Sequence, residues 1–296
     1  MIKIFIINWD GFELTEKCVN KIRMCTKQIK YSIYIFDNGS QKSEIYKLVQ
    51  LKNQGLIDHL YVSNKNLGFS VAMNILAKES KNGDFCCVNN DCFVNYNWLN
   101  ELMKCIKLSK NVAAVCSTTN QHQNVKHDEF IEIETLYGAL MYFSRDAWND
   151  VGYFDYKNFS PAYSEELDWS YRAKNRGYKL IQSIRSKAHH LESATANKKF
   201  KFNIIHQIRL THRIKCRLMN YTIIKMIKFW KTYIKEILEE YKNHTLHIYL
   251  IAIRNNIQIL PHILSERKKR FRLEKIDFNF QYRIVKKDSV KYIISP

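Results

Sequence analysis

Over the first 190 residues, apolar positions fall into two alternating patterns. Ile2–Ile7 is a nearly continuous apolar run, and Leu14–Ile29 after it carries apolar residues at helical spacing. Ser32–Phe36 is a second run, followed by a polar helical stretch at Lys42–Leu51. Leu56–Val62, Phe85–Val88 and Val112–Cys116 repeat the strand signal, and Phe69–Lys78 has helical spacing. A strand apolar on both sides has to be covered on both faces. Such runs separated by helices predict an α/β fold: a Rossmann-like, mostly parallel sheet with helices on each face. Ligands of these sheets sit beyond the carboxyl ends of the strands.

Polar residues cluster at those ends. Asn8, Trp9 and Asp10 follow the first predicted strand, and Asp37, Asn38, Gly39 and Ser40 the second. Asn64, Asn66 and Gly68 follow the third; Asn89, Asn90 and Asp91 follow the fourth. Any one cluster is also ordinary turn and capping chemistry, but four at one sheet edge outline a pocket. The chain has no Gly-x-Gly-x-x-Gly after the first strand and no Gly-x-x-x-x-Gly-Lys-Ser/Thr. This excludes the usual glycine cradles of dinucleotide oxidoreductases and P-loop nucleotidases. A diphosphate held without such a cradle needs another counter-charge, and a divalent cation (Mg2+ or Mn2+) on Asp91 supplies it. Glu165, Glu166 and Asp168 open a predicted helix running to Asn175. They read both as general-base candidates and as a first turn favoured by the helix dipole. His189 and His190 follow the run Lys179–Arg185, and in an extended segment only one of two neighbours faces a given side.

These residues carry a family resemblance. Asn8-Trp9-Asp10-Gly11, Asp37-Asn38-Gly39-Ser40, Asn66-Leu67-Gly68-Phe69 with Asn74, and Asn89-Asn90-Asp91 resemble successive motifs of family-2 glycosyltransferases. So do Gly138-Ala139-Leu140 with Arg145, Gly152-Tyr153-Phe154-Asp155, Glu165-Glu166-Leu167-Asp168 with Arg172, and His189-His190. Their order and spacing are similar to the branch that includes bacterial rhamnosyltransferases, over roughly residues 1–195. The resemblance implies a GT-A fold, a nucleotide-diphosphate sugar donor and inversion at the anomeric carbon. It assigns Asp37 to the nucleoside and Asp91 to the metal, with Asn89 at the motif's first acidic position. Asn8, Trp9, Asp10, Asn66, Gly68, Asn74 and Asn90 join the donor set; Gly138 and Ala139 face the acceptor. It places the base at Glu166, with Glu165 and Asp168 as alternates, and prefers His189 to His190 as the metal or diphosphate contact.

Composition divides the chain. The net charge is +19, yet Met1–Asn197 holds 24 Lys and Arg against 21 Asp and Glu, whereas Lys198–Pro296 holds 23 against 7. Residues 1–197 are read as the transferase domain and 198–296 as a basic, mainly helical extension. Phe200–Tyr241 and Thr245–Leu264 are its helical candidates, the second interrupted near Pro261, and the tail from Ile276 has weak strand character. Such a region wants an anionic surface. A membrane face, where cationic side chains reach headgroups while Ile, Leu and aromatics sink, is preferred to nucleic acid. Lipid-linked glycan acceptors of similar enzymes point the same way, toward bacterial surface polysaccharide. Met1–Ile7 runs into a strand without a cleavage site, and the 8 cysteines are scattered. Both favour a cytoplasmic protein with buried reduced thiols, peripheral on the inner membrane face. Two competing readings remain. A nucleotidyltransferase would want an Arg- or Lys-bearing loop at Asn8–Leu14, which has neither. A non-catalytic basic binding module leaves the ordered motifs without a purpose.

Overall fold

The computed structural model describes residues 1–120, 129–191 and 201–296. Strands β1 (Ile2–Asn8), β2 (Tyr31–Asp37), β3 (His59–Ser63) and β4 (Phe85–Val88) pair in parallel in the order β3-β2-β1-β4. Helices α1 (Phe12–Cys25), α2 (Lys42–Asn53) and α3 (Phe69–Glu79) connect them. The register of β1 on β2 runs from Ile2 opposite Tyr31 to Asn8 opposite Asp37, so both strands deliver their last polar residue to the same edge. Alternation then sorts the side chains. Ile4, Ile6, Ile33 and Ile35 join one core with α1, α2 and α4 (Trp98–Ile106). Phe5 and Phe36 join the opposite core with α3, α5 (Arg145–Val151) and α6 (Glu165–Asn175). Each core is one continuous cluster of buried apolar residues, which is what the two-sided apolar runs require.

The second half of the sheet is mixed. It comprises β5 (Cys92–Val94), β6 (Val112–Thr119), β7 (Phe130–Glu132), β8 (Leu140–Phe143) and β9 (Lys179–His190). β8 lies antiparallel between β4 and β6, β9 runs parallel to β6, and β5 and β7 pair antiparallel with β9. The antiparallel insertion of β8 carries Gly138 and Ala139 to the end of β4.

The C-terminal region begins with α7 (Phe202–Asn220), α8 (Ile223–Lys228) and α9 (Trp230–Lys242). It continues with α10 (Leu246–Gln258) and α11 (Leu260–Phe271), and ends in the hairpin β10 (Arg283–Lys287) and β11 (Val290–Ile294). The stretch expected as one helix over Phe200–Tyr241 breaks at Tyr221, where Thr222 Oγ1 caps α8 by accepting from Lys225 N at 3.1 Å. The second break falls at Ile259, leaving Pro261 in the first turn of α11, where its missing N–H costs nothing. β11 adds in parallel to β3, Val290 opposite Leu60 through Ile293 opposite Ser63, so the tail completes the sheet of the first region. The proposed boundary at Asn197 lies outside the described residues. All eight cysteines are buried free thiols. No described helix is long and apolar enough to cross a membrane.

Candidate active site

A chain of hydrogen bonds runs across the strand ends. Asn8 Nδ2 donates to Asp37 Oδ1 at 2.8 Å, and Ser40 Oγ donates to the same oxygen at 2.6 Å. Thr15 Oγ1 donates to Asn8 Oδ1 at 2.8 Å, and Asn90 Nδ2 donates to Thr15 Oγ1 at 3.2 Å. The end of β2 is thereby coupled through β1 and the first turn of α1 to the residue beside Asp91. Asp37 is fully buried; burial pushes its carboxyl above the usual range, restrained by the bonds from Ser40 and Asn8. Asp10, at φ 45°, accepts from Gln41 N at 2.8 Å through Oδ1. Trp9 and Asp10, after β1, are half-buried, and Asn66, after β3, is exposed. Gly39 is obligatory: at φ +81° a Cβ would lie 2.4 Å from the Lys65 carbonyl carbon.

The third strand end meets the acidic helix. Gly68 sits at φ +82°, where a Cβ would come 2.7 Å from Pro161 O, and Phe69 N donates to that oxygen at 2.8 Å. Pro161 lies in the segment that leads into α6. Asn74, expected among donor ligands, is corrected to a structural latch. It is fully buried, donating to Phe154 O at 2.9 Å and accepting from Phe154 N at 3.1 Å, which uses both ends of its amide. Arg172 does similar work, donating to Val151 O and Tyr153 O at 2.8 Å each.

At the fourth strand end Asp91 is buried, and its Oδ1 stands 3.1 Å from His190 Nε2. Asn89 Nδ2 lies 3.5 Å from the same nitrogen. β5 pairs with β9 so that Cys92 faces His190 and Phe93 faces His189, and His189 is exposed. The preference for His189 is therefore corrected: strand alternation puts His190 on the Asp91 side. Asn89 N donates to Ala139 O at 2.9 Å, which brings the Gly138–Ala139 pair alongside.

Glu166, on α6, lies beside the strand end at Gly138. The space a Cβ on Gly138 would occupy is 3.5 Å from Glu166 Oε1 and Cδ, so the missing side chain leaves the carboxylate open to that strand end. Leu136 N donates to Ser170 Oγ at 3.0 Å, and Ser170 Oγ donates to Glu166 O at 2.6 Å, which pins this segment to the helix. Glu165 is buried with Oε2 lacking a hydrogen-bond partner; burial, then the neighbouring Glu166, drives its pKa well above the ordinary value. Burial also raises that of Glu166. Asp168 has a different environment. Burial favours its proton, but Arg270 and Arg172 outweigh that and hold it below the usual carboxylate range. Arg172 Nε donates to Oδ2 at 2.8 Å, and Asn220 Nδ2 and Arg270 Nε to Oδ1 at 2.9 and 3.3 Å. Saturated on both oxygens, Asp168 is corrected from an alternate base to a structural anion.

Sequence reasoning missed Thr15 and His212. Thr15 is a buried polar residue in the first turn of α1, on the helical face turned to the strand ends. His212 Nδ1 donates to Ala162 O at 2.9 Å and Tyr163 O at 3.1 Å, holding the loop in which Tyr163 and Ser164 take φ of 76° and 71°. Nothing in the pattern around His212 singled it out.

A mixed α/β sheet with an acidic residue after β4, and Glu166 of α6 beside Gly138 at the neighbouring strand end, suits a GT-A-type sugar transferase. The chain belongs to glycosyl transferase family 2, whose model matches residues 4–171. Its fold is similar to that of GalNAc-T7, crystallised with UDP, GalNAc and Mn2+ (TM-score 0.61, 15% identity, 87% of this chain and 57% of that one). It is also similar to mannosyltransferase PcManGT from Pyrobaculum calidifontis, in complex with GDP-Man and Mn2+ (TM-score 0.58, 14% identity, 87% of this chain and 75% of that one). The chain thus spans little more than half the length of the first of these, and at such identities the likeness concerns the fold. No curated protein matches it.

Proposed function

We propose that the chain is an inverting transferase that moves a sugar from a nucleotide-diphosphate donor to a hydroxyl of a lipid-linked glycan. The order of its motifs supports the rhamnosyltransferase-like branch and a place in bacterial surface polysaccharide assembly, at the inner membrane face. The observation that carries the reading is the approach of Glu166 to the Gly138–Ala139 strand end, to which Asn89, two residues before Asp91, is hydrogen-bonded.

The donor nucleoside belongs beside Asp37 and the Asn8–Thr15–Asn90 chain, with Trp9, Asp10 and Asn66 at the mouth. Asp91 and His190 are the side chains that would hold a divalent cation. Among the described residues no three His, Cys, Asp or Glu gather as a full ligand set. Two protein donors fit Mg2+ or Mn2+, which complete their shell with water and substrate phosphates. The cation supplies counter-charge to the departing diphosphate. Glu166 supplies the base: its carboxylate takes the acceptor hydroxyl proton while that oxygen bonds to the anomeric carbon. The bond from that carbon to the diphosphate breaks on the opposite face. A base of raised pKa is better matched to a hydroxyl than an ordinary carboxylate. The close backbone of Gly138 admits the acceptor beside it.

Thermal unfolding of the full chain with Mn2+ and a panel of nucleotide sugars tests the reading. One donor should raise the melting temperature, and Asp91→Asn should remove the metal-dependent part of that rise. Indifference to every nucleotide sugar and nucleoside diphosphate would overturn it.

A further inference from the structure

The helices α8 and α9 are amphipathic in the reverse sense. A surface helix ordinarily turns its apolar stripe inward. Here the inward face carries ion pairs beside Phe229 and Tyr233: Arg217 grips Glu236 through two bonds of 2.8 and 2.7 Å, and His206 Nε2 meets Glu240 Oε2 at 2.7 Å. Lys225 Nζ donates to Glu134 Oε2 at 2.8 Å. The outward face holds Ile223, Ile227, Trp230, Ile234, Leu238 and Tyr241, all exposed, with Ile223 at 70% and Trp230 at 53%. Their spacing of three and four residues places them on one face of each helix, and in α9 the row from Trp230 to Tyr241 runs roughly 17 Å at 1.5 Å per residue. A row of apolar side chains of this length left in water marks a docking face.

We propose that this face lies on an anionic lipid bilayer, its isoleucines and Trp230 sunk to the acyl boundary. Charge selects this occupant. Lys228, Lys231 and Lys235 are exposed on the same two helices, and the region from Lys198 carries 23 basic against 7 acidic residues. A second copy would set like charge against like charge, whereas anionic headgroups answer it at about 1 kcal/mol per basic residue near the surface. Trp230 and Tyr241 are the residue types that settle at headgroup level. The placement also suits the site. Tyr221, at the head of α8, has its hydroxyl 2.9 Å from that of Tyr171 on α6, and Glu134, bonded to Lys225, lies in the segment leading to Gly138. The bilayer would then flank the acceptor side of the cleft. This last point rests on the lipid-linked acceptor proposed above; the binding face itself does not.

Flotation of the full chain is measured with phosphatidylcholine vesicles and with vesicles containing phosphatidylglycerol. The wild type should float with the anionic vesicles and show a blue-shifted tryptophan emission that Trp230→Phe removes. Ile227→Glu combined with Ile234→Glu should weaken binding at least roughly tenfold, one lost isoleucine burial being worth that factor. Its melting temperature should hold, since both positions face solvent. Equal flotation of the double variant overturns the proposal. So does equal binding to neutral vesicles, or a lipid-free dimer that the double variant dissociates. Donor stabilisation is read without vesicles, so a chain that binds a nucleotide sugar but no vesicle loses only this face.

Discussion

Arg270 joins the C-terminal helices to the acidic helix, and removing it measures how firmly the two are joined. Its guanidinium is 2% exposed and meets Asp155 Oδ2, Glu266 Oε2 at 2.8 Å and Asp168 Oδ1 at 3.3 Å. Arg270→Met keeps much of the volume and deletes the charge, leaving buried carboxylates short of a cation. Breaking a buried ion pair from one side costs about 3–5 kcal/mol, because the stranded charge has lost both water and partner. In a chain of this size each kcal/mol moves the melting temperature by about 2 °C, so a fall of about 6–10 °C is expected. Differential scanning fluorimetry at pH 7 reads it directly. Arg270→Lys, which keeps the charge but not the fork, should fall by less. Arg254→Met, at an exposed arginine of α10, should change stability by no more than about 0.5 kcal/mol. If Arg270→Met melts within 1 °C or so of the wild type, the account of the buried node is wrong.

Four further outcomes are expected. Glu166→Gln should lower turnover by about 10²–10⁴-fold while donor-induced stabilisation persists. Wild-type turnover should rise with pH through a midpoint above the ordinary Glu value of about 4.3, because burial raises the Glu166 pKa and the base works only once deprotonated. Glu165→Gln should raise the melting temperature at pH 7 and lose that advantage toward pH 4. The folded chain holds the Glu165 proton more tightly than the unfolded chain, so stability from this group falls as pH rises through its raised pKa. Gly39→Ala should destabilise by about 1–3 kcal/mol, read by urea unfolding, since it combines a left-handed backbone with a clash against the Lys65 main chain.

Much of the first region was legible because its signals are local. Two-sided apolar runs announce buried parallel strands, and Asn, Asp and Gly at their ends announce the ligand edge. Long-range pairing left no such trace. β8 is four apolar residues without a phase of its own, and only its insertion between β4 and β6 makes it antiparallel. The choice between His189 and His190 turned on parity. The β6–β9 register shifts between Ser183 and Lys187, so counting by twos along β9 does not carry through to the histidines. Asn74 matched a motif that the surrounding fold uses as a latch. Arg270 and Asp168 are separated by 102 residues, and no pattern in either stretch joins them.

The acidic triplet shows how one motif divides its labour once the tail is in place. Glu165, Glu166 and Asp168 sit within a single helical turn, and composition gives them one chemistry. Burial alone would push all three toward the neutral acid. Asp168 escapes because Arg172 comes from its own helix, four residues on, and Arg270 and Asn220 come from α11 and α7. Its charge is therefore held jointly by its own helix and the C-terminal helices. Glu165 receives no such partner and is driven toward the protonated form, with Glu166 beside it adding to the shift. Burial raises the proton affinity of Glu166 as well, which is the direction the base role proposed for it requires. The same helices secure the approach to the triplet, since His212 of α7 holds the left-handed pair Tyr163–Ser164 against the start of α6. Strain of this kind persists only where the surroundings over-determine it. The C-terminal helices thus hold the acidic helix and the loop before it, and a chain without them would lose the partners of Asp168 and of the Tyr163–Ser164 turn.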